Sequence, residues 1–137
     1  MKILTVQINN EPAEFEQFLN SVSDKLASAI CKKLQAYNDA NAVHISNRLK
    51  ILKPRIWGYK GTIYKLRVDC GKESARIMFT KTPDNDIVLL HGFIKKTQKT
   101  PKKDAKMAID NLQQIENNAE ISSLPLAKYL TKVSTRR

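Results

Sequence analysis

The sequence predicts an α+β domain in which an N-terminal helical hairpin packs on a small antiparallel sheet and a C-terminal helix completes the fold. Three observations lead there. Apolar residues recur at spacings of three and four from Phe15 to Tyr37, the period falls to two between Thr62 and Ile94, and a helical period returns after Pro101. With 137 residues the chain is long enough to bury one core. Residues 1–118 are expected to form the domain and 119–137 a partly irregular C-terminal extension.

KILTVQI, residues 2–8, is short and β-branched, which predicts a first strand. Asn9-Asn10-Glu11-Pro12 supplies a turn and a helix start. Phe15, Phe18, Leu19, Val22, Leu26, Ala29, Ile30, Leu34 and Tyr37 then line one face of a long amphipathic helix, which residues 38–41 break. Val43, Ile45, Leu49 and Leu52 suggest a second helix, antiparallel to the first, that Pro54 ends at or before Lys53. Next come TIYKLRVD (62–69), ARIMFT (75–80) and DIVLLHGFI (86–94), three β-rich runs separated by turn-like segments and read as a meander. Alternation puts Tyr64, Leu66 and Val68 on one face, with Lys65, Arg67 and Asp69 on the other. In the second run Ala75, Ile77 and Phe79 oppose Arg76 and Met78, so Arg67 and Arg76 can share a face. The third run is apolar almost throughout and does not fix where His91 points. Thr100 as N-cap and Pro101 as first residue start a last helix, 101 to about 118, that packs through Ala105, Ala108, Ile109, Leu112 and Ile115. The tail EISSLPLAKYLTKVSTRR reads as irregular with a frayed end.

The formal net charge of +11 points to a polyanionic partner, most commonly nucleic acid. It is unevenly placed: residues 1–40 carry four Lys and five acids, residues 48–106 sixteen Lys or Arg and five acids. HGFIKKTQKTPKK, residues 91–103, concentrates five lysines at the start of the last helix, where cations oppose the helix dipole and backbone N–H groups attract anions. Cys31 and Cys70 show neither disulfide-framework nor metal-ligand spacing, so reduced thiols, a cytoplasmic location and no metal or cofactor are expected. No apolar stretch approaches the roughly 20 residues that span a bilayer, and no signal-peptide segment is evident, so no membrane partner is expected.

The segments YKLRVD, ARIMFT and IVLLHGFIKKTQKTPKKDAKMAIDNL resemble the phage-derived, HigB-like branch of the RelE toxin superfamily, over residues 50–115. The resemblance implies a toxin of a type II toxin–antitoxin system. Such a protein is a metal-independent endoribonuclease that cleaves messenger RNA, in many members on the ribosome, and so inhibits translation. It implies as partners the mRNA, the ribosome and a cognate helix-turn-helix antitoxin, with operator DNA reached only through the antitoxin. The chain departs from the family in its longer first helix and its C-terminal extension. Tyr129, Lys132, Arg136 and Arg137 in that extension align with no family motif.

Cleaving RNA through its own 2′-hydroxyl needs a base for that hydroxyl, a cation for the phosphorane and an acid for the leaving 5′-oxygen. The candidate catalytic residues are Arg67 and Arg76 for bidentate phosphate contact, His91 as acid or base, and Lys95, whose pKa crowding by like charges can lower. Lys65, Lys96, Lys99, Lys102 and Lys103 are the candidates for holding the RNA backbone. Structural roles compete. Arg67 could pair with Asp69 or Glu73, Arg76 could form a cross-strand pair, His91 could be a hydrogen-bonded core histidine, and Lys102 and Lys103 could be solvated beside Asp104. Trp57, Tyr59 and Tyr64 could stack a base or pack a core, and His44 reads as a helix-surface residue. Two other functions fit the same charge: a non-catalytic RNA- or ribosome-binding module, and a module that receives an acidic antitoxin or phage protein.

Overall fold

The computed structural model describes residues 3–7, 14–39, 50–82, 86–96, 100–116 and 120–123. In chain order they form β1 (Ile3–Gln7), α1 (Glu14–Ser21), α2 (Asp24–Asp39), β2 (Lys50–Leu52), α3 (Pro54–Trp57), β3 (Ile63–Cys70), β4 (Glu73–Lys81), β5 (Ile87–Ile94), α4 (Lys102–Glu116) and β6 (Glu120–Ser123). The strands make one mixed sheet in the order β2-β3-β4-β5-β1-β6. β2 to β5 are antiparallel neighbours, β1 is parallel to β5, and β6 is antiparallel to β1. A two-residue loop joins β3 to β4, and Gly71 at φ 62° supplies the positive φ that tight hairpins need.

Helices cover both faces of this sheet. On one face α1 and α2 bury Phe15, Leu19, Leu26, Ile30 and Leu34 against Leu66, Val68, Ile77, Phe79 and Leu89. On the other, Ala105, Ala108, Ile109 and Leu112 of α4 pack with Ile63, Met78, Val88, Leu90 and Phe93. β5 is buried on both faces, and this explains a run too uniformly apolar to alternate. Gly92 makes room for α1: a Cβ there would lie 2.6 and 2.7 Å from two ring carbons of Phe18 and 3.1 Å from Phe15. Gly92→Ala is therefore expected to lower stability by about 1–3 kcal/mol, measured by denaturant unfolding, because two packed rings must move.

Several expectations are corrected. The long first helix is two helices. Ser23 accepts at its carbonyl from Ala27 N (2.9 Å) and at its hydroxyl from Leu26 N (3.2 Å), starting a new helix at Asp24 while the apolar period runs on through the break. The antiparallel helical hairpin is absent where it can be checked: Lys50–Leu52 of the expected second helix is an edge strand, and residues 40–49 lie outside the described set. The three runs read as a meander do form one, β3 to β5, but the sheet as a whole is mixed rather than antiparallel, since β1 enters it parallel to β5. Residues 120–123, read as irregular, form β6. The last helix starts one residue late, with Pro101 O accepting from Ala105 N (3.1 Å). The frayed C-terminus and the residues Tyr129, Lys132, Arg136 and Arg137 fall outside the described residues, as does His44.

Candidate functional site

Strand register builds a cationic floor. Arg67 on β3 lies directly opposite Arg76 on β4, and one row away Lys65 is flanked by Lys50 on β2 and Met78 on β4. Lys95 follows β5, where its N–H bonds Ser74 O at 2.7 Å and continues the ladder. These side chains line a groove of about 1420 Å³ that also takes in Lys53, Lys96 and Lys102. Nine Lys or Arg and one acid, Asp69, line it among the described residues. Like charges placed opposite one another across strands are destabilising, and an anion seated between them removes the repulsion.

Local bonds orient the two arginines. Arg67 Nε donates to Asp69 Oδ2 at 2.8 Å, the Ser74 hydroxyl donates to Asp69 Oδ1 at 2.6 Å, and Arg76 Nη1 donates to Ser74 Oγ at 2.8 Å. One carboxylate thus organises both guanidinium groups. The Ser74 hydroxyl, and then Arg67, hold the Asp69 carboxyl below its ordinary value. The Arg67–Asp69 pair is exposed, so it contributes little stability and leaves donors of Arg67 for a ligand. Burial, then the charges of Lys95, Lys50, Arg76 and Lys53, lowers the Lys65 pKa, and the Thr100 hydroxyl receives its Nζ at 3.3 Å. Lys95 is lowered likewise by burial and then by Arg76 and Lys50. Both shifts favour the neutral amine, the form that accepts a proton.

His91 sits elsewhere. It pairs with Met78 at a bulge in the β4–β5 ladder, and its side chain is 8% exposed beneath the first turn of α4. Nδ1 lies 2.5 Å from Glu14 Oε1 and Nε2 lies 2.7 Å from Asp104 Oδ1. Asn111 Nδ2 donates to the other Glu14 oxygen (3.0 Å) and to Leu90 O (2.7 Å), a carbonyl just past the end of the β1–β5 pairing. Burial opposes a charge on the imidazole, but the two hydrogen bonds and the charges of Glu14 and Asp104 prevail and raise its pKa. Two carboxylates on two ring nitrogens call for an imidazolium donating from both. His91 therefore clamps α1, β5 and α4 together and does not line the groove, which removes the ground for placing it among acid–base groups there.

The groove thus gathers Lys65, Arg67, Arg76, Lys95, Lys96 and Lys102. Lys103 is exposed and off its lining, and Lys99 lies outside the described residues. Sequence reading passed over Lys50 and Lys53, whose stretch was read as the end of a helix, although pairing a strand there with β3 would have brought Lys50 beside Lys65. Of the aromatics considered, Tyr64 stacks on Phe79 on the opposite face, at 5.3 Å between ring centres. Tyr59 is buried, its hydroxyl bonded to Leu52 O and Ile63 N, and Trp57 alone of the three lines the groove.

No described helix is long and apolar enough to cross a membrane. Residues 15–113 match the model of the family described as Phage derived protein Gp49-like (DUF891), a family associated with RelE-like and toxin-like proteins. No curated protein matches.

Proposed function

The chain belongs to the phage-derived Gp49-like family, and from that premise we propose that it is a HigB-like toxin of a type II toxin–antitoxin system, an endoribonuclease acting on messenger RNA. The observation that carries the proposal is the Arg67–Arg76 pair, directly opposite in register on adjacent strands, in a groove lined among the described residues by nine Lys or Arg and one acid. Guanidinium forks match the oxygens of a phosphodiester and hold the charge that grows on the phosphorane. Lys65, with its depressed pKa and its tether to Thr100, takes the proton of the 2′-hydroxyl as that oxygen attacks phosphorus. Lys95, which lines the groove with Arg76 at the end of β5, donates a proton from its ammonium group to the departing 5′-oxygen, leaving a 2′,3′-cyclic phosphate and a free 5′-hydroxyl. Lys96 and Lys102 hold the flanking backbone. On this reading the protein works in the cytoplasm on ribosome-bound mRNA, and a helix-turn-helix antitoxin restrains it.

Tightly controlled expression in a bacterium tests this. Growth arrest with new 5′-hydroxyl ends inside translated frames is the expected result. Normal growth and intact mRNA at confirmed soluble expression would reduce the groove to a binding surface for RNA or for an acidic protein.

A further inference from the structure

We propose that Trp57, with Ile56 beside it, is the nucleobase platform of the groove, so that the site takes unpaired RNA by stacking a base on this wall while phosphates lie on Arg67 and Arg76. The inference rests on the RNA reading above and adds what part of the nucleotide the second wall recognises.

The segment Lys53-Pro54-Arg55-Ile56-Trp57-Gly58-Tyr59-Lys60 interleaves cations with aromatic and aliphatic side chains. It folds as α3, a single helical turn, with Pro54 at its start and Gly58 in the left-handed conformation (φ 68°) at its end, Gly58 N donating to Pro54 O at 2.7 Å. So short a turn would fray alone. Trp57 anchors it: the indole is partly buried against the cluster that holds Leu52, Tyr59 and Ile63, and it also lines the groove. Ile56, by contrast, is 70% exposed, and Ile51 on β2 is 47% exposed; both line the same groove. A rigid aromatic surface flanked by solvent-exposed aliphatic groups, facing a field of positive charge, is the arrangement that binds single strands: stacking on one side, phosphates on the other. An acidic peptide would satisfy the charges, but it offers no flat ring for an aromatic wall to stack on, whereas every nucleobase does.

Trp57 is the chain's only tryptophan, so its fluorescence reports this wall alone. The full-length protein is titrated with a six-nucleotide 2′-deoxy oligomer, which cannot be cleaved through a 2′-oxygen, and with an abasic oligomer of equal charge, binding being followed independently by anisotropy of a labelled strand. The expected result is that both bind and only the base-bearing strand quenches Trp57. Trp57→Ala should then weaken the base-bearing strand on the order of tenfold and leave the abasic strand unchanged, with Trp57→Phe recovering most of the loss. Binding of both strands with no quenching overturns the platform and leaves the phosphate groove standing. Failure of both strands to bind removes the RNA reading and the platform with it. An acidic amphipathic peptide that displaces the base-bearing strand, in a protein whose affinity for that strand does not depend on Trp57, assigns the wall to a protein partner and overturns the platform. Quenching is read on the unaltered chain, so the test survives a Trp57→Ala variant that fails to fold.

Discussion

Arg76→Ala is expected to abolish growth arrest while the protein still folds. The loss should reach 10²- to 10³-fold in the rate of RNA cleavage, as on the order expected when one donor to a developing oxyanion is removed. Stability should hardly move. The variant forfeits hydrogen bonds of Arg76 Nη1 to Ser74 Oγ and Ala75 O, yet it also removes a positive charge directly opposite Arg67. Arg76→Lys sharpens the test: it keeps the charge and loses the planar fork, so RNA affinity should survive better than cleavage. Burial and the neighbouring Arg67 already disfavour the charge on Arg76, and a bound phosphate favours it, so the guanidinium gains most when substrate is present. A well-expressed Arg76→Ala protein that remains fully toxic would take Arg76 out of the chemistry and leave the groove a binding surface.

The placement of Arg67 beside Arg76 was legible because side chains alternate along a strand and the Gly71 turn sets the hairpin register. The core faces of α1, α2 and α4 were legible for a similar reason: a 3.6-residue period states which residues face inward, as Phe15, Leu26, Ala108 and Leu112 do. Periodicity could not reveal the break at Ser23, because Leu19, Val22 and Leu26 keep the stripe intact across it. The cue was chemical, a Ser-Asp pair suited to capping. β2 was hidden by its length, since three residues cannot display a period of two, and its partner lies across a turn. β1 was legible as a strand from its β-branched run, but its place beside β5 was hidden because that pairing is non-local, and β6, which pairs only with β1, was hidden with it. His91 was ambiguous because a uniformly apolar strand carries no facial signal, and its partners Glu14 and Asp104 come from elements far apart in sequence. Lysine density marked the groove, while Trp57 was placed by tertiary packing alone.

Removing that buried clamp should cost more stability than any groove substitution. In His91→Ala the carboxylates of Glu14 and Asp104 lose the cation between them, and a cavity opens under α4. The expected loss is about 2–4 kcal/mol, toward the lower end because Glu14 keeps some contact with water. The pH dependence identifies the cause. The folded-state pKa of His91 is raised above its ordinary 6.5, so its contribution is fully present below that value and is lost as pH rises through the raised pKa. Burial would raise the Glu14 pKa, but hydrogen bonds from His91 and Asn111 carry it below its ordinary 4.5; that contribution is present above 4.5 and is lost as pH falls through the lowered pKa. Wild-type stability should therefore be greatest between the two and decline on the alkaline side. The gap between wild type and His91→Ala, from urea unfolding across this range, should shrink as pH rises. A gap that stays constant would mean that the imidazole packs as a neutral ring, and a small gap at every pH would mean that α1, β5 and α4 hold together without it.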